Sequence, residues 1–245
     1  MRALAGEVLL AAWEQSAPSH ELLRPLMVLS AAYADAGPTQ LGALPIAERN
    51  LMLLRLHRLS FGPVLRVFGV CQQCGARLEF EVPVAEMTAH VEGRSAADPI
   101  VWSEDGRQYR LRPVSTDDLV ATLSALDLDA AQELLLRRCL EVSPPVETGQ
   151  PAGTPAVPVS PAVLRRFEEL HAAAELSCAI ECPSCACREV LDFDIARFLW
   201  AEVQTAARRL LGEIHELASA YGWSQQDIAA MSPTRRRAYL ELLSA

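Results

Sequence analysis

FGVCQQCGARLEFEV, residues 68–82, decides how this chain is read. It holds two cysteines three positions apart, Cys71 and Cys74, a glycine behind them, and then a run in which apolar and acidic residues alternate. Strict alternation puts one kind of side chain on each face of a strand. A second stretch repeats the plan. CPSCACREVLDFDIAR, residues 182–197, again carries C-x-x-C, a basic residue and an apolar–acidic–Phe–acidic–apolar strand, LDFDI against LEFEV, with two more residues in between. The chain thus contains an internal half-repeat, and LEFEV and LDFDI are expected to be neighbouring strands with Phe80 and Phe193 on one apolar face.

A C-x-x-C turn wraps two thiolates around one side of an ion. Two such turns supply the four sulfurs of a tetrahedral structural zinc, so Cys71, Cys74, Cys182 and Cys185 are predicted to ligate Zn²⁺. The two pairs are separated by 108 residues, far more than the roughly 15–20 of an ordinary ribbon, so a helical insertion must interrupt the ribbon. Cys178 and Cys187 flank the second pair, and either is an alternative ligand, although four ligands within ten residues would crowd one another. A redox pair would need its C-x-x-C at a helix N-terminus, whereas strands follow both motifs. Unmetallated buried thiols are the third alternative. Cys139, in LLLRRCLEV, reads as a small core residue. The chain has seven cysteines, an odd number, and no secretion signal, which argues against a disulfide framework.

Outward from the cysteines the pattern is helical. The first 15 residues form an amphipathic segment, and HELLRPLMVLSAAYA and IAERNLMLLRLHRLSFG place apolar residues at helical spacing on either side of a Gly/Pro break. IVWSEDGRQYRLRPV reads as a hairpin turning at Asp105-Gly106. Helices are predicted at STDDLVATLSALD, with Ser115 and Asp118 as a capping pair, at DAAQELLLRRCLEV, and from Pro161 to about Leu176. SPPVETGQPAGTPAVPVSPA, residues 143–162, cannot bury enough apolar surface to offset its ordering entropy and reads as a linker. From about Ile195 the chain is helical, with caps at Ser224 and Ser232 and Pro233 opening the last helix. The expected organisation is helical over 1–67, a first C-x-x-C β half over 68–115, a helical insertion over 116–142, a linker over 143–162, a helix and second β half over 163–195, and a helical region over 196–245. The fold class is α+β: a small zinc-ribbon-like β module surrounded by helices, with a C-terminal helical appendage.

A net charge of −9 opposes nonspecific binding to nucleic acid and to anionic lipid. No run approaches the roughly 18 apolar residues of a membrane span, so the expectation is a cytoplasmic protein without membrane insertion. Phosphate-binding loops, dinucleotide fingerprints and hydrolase or protease motifs are absent, and the five histidines are scattered without ligand spacing. An enzyme is therefore not expected.

LPIAERNLMLLRLHRLSFGPVL, the two C-x-x-C segments, and LLGEIHELASAYGWSQQDIAAMSPTRRRAYLELL together resemble the T4-type baseplate protein family of contractile phage tails and contractile injection systems. The resemblance spans about residues 40–245, and Gly75 of the first cysteine turn is Ala186 in the second. It implies a baseplate hub protein or hub assembly chaperone, structural in role, whose partners are other baseplate proteins of the particle. Trp223, Arg235, Arg236, Arg237 and Tyr239 combine the residue types enriched at binding hot spots and are the candidate partner surface. Alternatively, they close a helical hairpin on itself. The competing function is a zinc-ribbon protein of transcription that touches nucleic acid. Glu79, Glu81, Asp192 and Asp194 on the strands carry the wrong sign for it.

Overall fold

The structure, a computed structural model, describes residues 1–94, 98–104, 106–143, 160–172 and 174–244. The linker read over 143–162 lies mostly outside the described residues, as does Asp105 of the hairpin turn. The chain opens with α1 (Gly6–Ser16), α2 (Arg24–Ala32), α3 (Pro38–Gly42) and α4 (Ile46–Phe61). The first cysteine hairpin follows, β1 (Val64–Val70) and β2 (Arg77–Pro83), and then α5 (Val84–Arg94), β3 (Ile100–Glu104) and β4 (Arg107–Leu111). Next come α6 (Thr116–Thr122), α7 (Leu128–Cys139), β5 (Leu140–Ser143), α8 (Pro161–His171) and the second cysteine hairpin, β6 (Leu176–Glu181) and β7 (Arg188–Phe193). α9 (Ile195–Tyr221), α10 (Gln225–Ala230) and α11 (Pro233–Ser244) end it. The fold is mixed helix and sheet with small antiparallel sheets. No helix among the described residues is long and apolar enough to cross a membrane.

The chain divides into two compact units. One comprises Met1–Leu41, Leu53–Val64 and Asp194–Ala245, and apart from Val64, the first residue of β1, the regular structure described in it is helical. Its axis is α9, where Leu199, Val203, Leu210, Ile214 and Leu217 recur every three, four or seven positions and are all buried. Asp194 caps this helix by accepting the N–H of Ala196 and Arg197, and Gly222 ends it at φ 69°, a conformation that costs glycine little. α1, α2, α10 and α11 pack on the apolar stripe. His57, 1% exposed, lies between the rings of Phe61 and Phe198 and bonds Glu202 at 3.1 Å.

The other unit comprises Gly42–Met52 and Leu65–Phe193. Its largest sheet has the order β3-β4-β5, and Tyr109, Leu111, Leu136, Leu140, Val163 and Leu170 form the core between this sheet and α7 and α8. Ser115 and Asp118 form the predicted capping box on α6, and the fully buried Asp118 carboxylate also receives Arg112 at 2.6 Å and Arg138 at 2.8 Å. Burial alone would raise the pKa of Asp118, but the Arg112 bonds and the Ser115 amide and hydroxyl hold it well below the usual carboxylate range. Cys139 is a core residue, as expected, its thiol pushed to about 12 by burial first and then by Asp118.

Three expectations need correction. The helix at DAAQELLLRRCLEV stops at Cys139, and Leu140–Ser143 join β4 as an edge strand, because pairing Leu111 with Leu140 and Tyr109 with Val142 buries apolar side chains that a longer helix would leave outside the core. The helix expected to reach Leu176 ends at His171, where β6 needs Leu176 to pair with Phe193. β2 and β7 are not neighbouring strands: each pairs within its own two-stranded hairpin. The repeat is one of hairpins, in which each strand takes its partner from its own copy.

Candidate metal centre

Both C-x-x-C segments fold into the same turn. In the first, the Cys71 N–H donates to the Ala76 carbonyl at 2.9 Å and the Gly75 N–H to the Cys71 carbonyl at 2.9 Å. In the second, the Cys182 N–H donates to the Cys187 carbonyl at 2.9 Å and the Ala186 N–H to the Cys182 carbonyl at 2.8 Å. The residue after each second cysteine is left-handed, Gly75 at φ 72° and Ala186 at φ 58°. The turn therefore tolerates the Gly-to-Ala difference between the copies, at a backbone cost that glycine avoids.

These turns bring the four predicted ligands together. The sulfurs of Cys71, Cys74, Cys182 and Cys185 all lie within 4.8 Å of one another, and the contacts between hairpins, Cys71 to Cys185 and Cys74 to Cys182, are each 3.7 Å. A tetrahedral ion with metal–sulfur distances of roughly 2.3 Å has sulfur–sulfur edges of about 3.8 Å. The quartet thus has the dimensions and the donor chemistry of a four-thiolate site and could hold a metal ion. Cys71 and Cys182 are buried at its base beside Leu78, while Cys74 and Cys185 face solvent.

The thiols differ in acidity. The backbone amide of Ser184, opposed by burial and aided by the Cys185 amide and by the Cys74 and Cys185 thiols, lowers Cys182 to about 7. At Cys71 the strongest influence is the lowering amide of Cys74, yet burial and the Cys74 and Cys182 thiols hold it at about 12. Cys178 and Cys187 stand outside the quartet. Cys178 pairs with Leu191 inside the β6–β7 ladder, and burial and then Glu86 raise its thiol. Burial and then Glu189 raise that of Cys187.

One member of the site was not read from sequence. Glu189 Oε1 accepts the Gln72 N–H at 3.0 Å and the Cys71 thiol at 3.5 Å, tying the second hairpin to the turn of the first. The alternation of β7 turns Glu189 to the same face as Leu191 and Phe193, an acidic residue in an otherwise apolar row, and that is the signal that could have found it.

The residues proposed as a partner surface sit in the helical unit. Tyr221 stacks on Trp223 at 4.5 Å and Tyr239 meets Trp223 edge-on at 4.8 Å, so the aromatic rings pack on one another. Arg235 and Arg237 are exposed. Arg236 is not, which corrects its place in the expected surface: it is buried, donating to Glu213 at 2.7 Å and to the Met231 carbonyl at 2.6 Å, because the α9–α11 contact needs a counter-charge for Glu213.

No protein-family model matches this chain, and comparison with curated proteins and with solved structures likewise finds no match.

Proposed function

We propose that this chain is a non-enzymatic structural or assembly protein of the baseplate of a contractile phage tail or contractile injection system, stabilised by a structural zinc. The observation that carries the structural role is the closed, all-sulfur quartet of Cys71, Cys74, Cys182 and Cys185. A catalytic zinc keeps a position open for water or substrate and draws on His or carboxylate ligands, whereas four thiolates leave a structural ion no vacancy. Soft thiolates in tetrahedral array suit zinc or iron and disfavour magnesium and calcium, which take oxygen ligands; this reading takes zinc, which holds such a geometry without redox chemistry. The baseplate assignment rests on the resemblance of residues 40–245 to that family. In this reading the protein works in the cytoplasm while the particle assembles, and docks on other hub proteins through the exposed Arg235 and Arg237 beside Trp223 and Tyr239.

A tagged chain expressed with its native gene neighbours tests the reading. Baseplate proteins are expected to co-purify, and Arg235→Glu with Arg237→Glu to reduce their recovery several-fold while the chain stays folded. Recovery of salt-sensitive nucleic acid in place of tail proteins would point to the transcription class and end the baseplate reading.

A further inference from the structure

The two cysteine hairpins leave a cleft of about 530 Å³ between β2 and β6, closed on one side by α5, within the range of roughly 300–1,000 Å³ typical of ligand sites. Its walls include every residue from Arg77 to Pro83 and from Ser177 to Glu181. A surface that presents odd and even residues of a strand alike is an edge, because a sheet face shows only every second one.

The hydrogen bonds of the turns fix which backbone groups face the cleft. The Cys182 N–H donates to the Cys187 carbonyl on the β7 side, so by alternation those of Ile180 and Cys178, across from Glu189 and Leu191, face β7 too. Ser177, Ala179 and Glu181 therefore aim their N–H and C=O outward. The Ala76 carbonyl accepts from Cys71, so on β2 it is Arg77, Glu79 and Glu81 that aim away from β1. Neither edge is paired with another strand among the described residues. β2 runs away from the cysteines and β6 toward them, so the edges are antiparallel, and a strand between them would run parallel to one and antiparallel to the other.

We infer that the cleft takes an extended segment of a partner protein, rich in basic residues alternating with apolar ones, which adds a strand between β2 and β6. Such strand addition draws affinity from main-chain bonds and specificity from alternate side chains. Phe80, Met87 and Ile180 offer apolar contact, and the lining has four glutamates, Glu79, Glu81, Glu86 and Glu181, against a single arginine, Arg77. Arg66 and Arg188 already pair with Glu81 and Glu181, which leaves Glu79 and Glu86 to set the charge preference. A second copy of this chain is a poor occupant, since its edge would set the same glutamates against these. Prolines along the inserted segment are excluded where a main-chain donor is required. The inference is independent of the baseplate assignment.

The test uses the full chain and three labelled, end-blocked decapeptides: alternating Lys-Val, alternating Glu-Val, and Lys-Val with the amides of one edge N-methylated. The Lys-Val peptide is expected to bind saturably at physiological salt. Glu79→Lys with Glu86→Lys, both at exposed positions, should weaken it at least tenfold, and the N-methylated and Glu-Val peptides should bind at least tenfold more weakly. Bound Lys-Val peptide should slow hydrogen exchange at the amides of Arg77, Glu79, Glu81, Ser177, Ala179 and Glu181. Ala179→Pro removes a cleft-facing donor without breaking the β6–β7 ladder and should reduce binding in a folded protein. No binding, equal binding of all three peptides, unchanged exchange at those amides, or self-association of the chain through this edge would each overturn the inference.

Discussion

Ala186 is the only non-glycine residue with positive φ among the described residues, and it sits where the matching turn has Gly75. An L-residue in this region costs roughly 1–2 kcal/mol, while a new glycine gives back about 0.4–1 kcal/mol through the freer unfolded chain. Ala186→Gly is therefore expected to stabilise the protein by up to about 1 kcal/mol, read by denaturant midpoint, and a loss of stability would show that the second turn is held differently. Asp118 makes the opposite case, an acid with no exposure that ties Ser115, Arg112 and Arg138 together. Removing one partner of a buried ion pair costs roughly 3–5 kcal/mol, and because both arginines are 38% exposed Asp118→Asn belongs at the lower end. Its folded pKa lies below the unfolded value of about 3.9, so its contribution is complete above about pH 4 and is lost as pH falls through the folded value. The wild type should lose stability steeply below about pH 4 and Asp118→Asn more shallowly, as chemical denaturation across that range would show. Ser115 and Asp118 were legible in sequence as a cap, but the two arginines were not, since Arg138 lies twenty positions away on another helix.

At the level of elements, caps and turns carried most of what could be read. Ser224 accepts the Asp227 N–H at 3.1 Å and Ser232 that of Arg235 at 3.3 Å, as their spacing predicts. Sequence failed where a tertiary partner chose between states. Leu140–Ser143 continues a helical pattern yet becomes β5 because β4 offers an edge, and Val84–Arg94, unread beforehand, becomes α5 directly after β2. The end of α8 shows how a terminus is fixed. His171 Nδ1 faces the Phe167 carbonyl at 2.6 Å and its Nε2 accepts the Val114 N–H at 2.8 Å, so the neutral ring donates at one nitrogen and accepts at the other. Burial lowers its pKa against the opposing pull of the Phe167 carbonyl and Glu175. With the folded pKa below the unfolded value of about 6.5, the unfolded chain binds the proton first, so this contribution is complete above about pH 6.5 and is lost as pH falls through the folded value. Stability is expected to decline from about pH 6.5 downward, and His171→Gln to flatten that slope. An equal slope in both proteins would remove His171 from the account.

Across the whole molecule, the half-repeat was the feature that reached furthest. Matching the two C-x-x-C segments brought together residues 108 apart, and the sulfurs do meet. What the repeat could not say is which strands pair, because sequence similarity between LEFEV and LDFDI reflects equivalent places in two hairpins and not contact between them. Structural metal sites put their binding free energy into folding, and a ligand held a thousandfold above its dissociation constant stabilises by about 4 kcal/mol. For a chain of this length that is a shift in melting temperature of roughly 8–16 °C. The most direct measurement is therefore metal content together with thermal unfolding, for the wild type and for Cys74→Ser and Cys185→Ser, the two exposed ligands whose substitution disturbs the core least. About one zinc per chain is expected, lost in both variants and on chelation, with the melting temperature falling in each case by an amount in that range. A metal-free wild type that melts at the same temperature as both variants would contradict it.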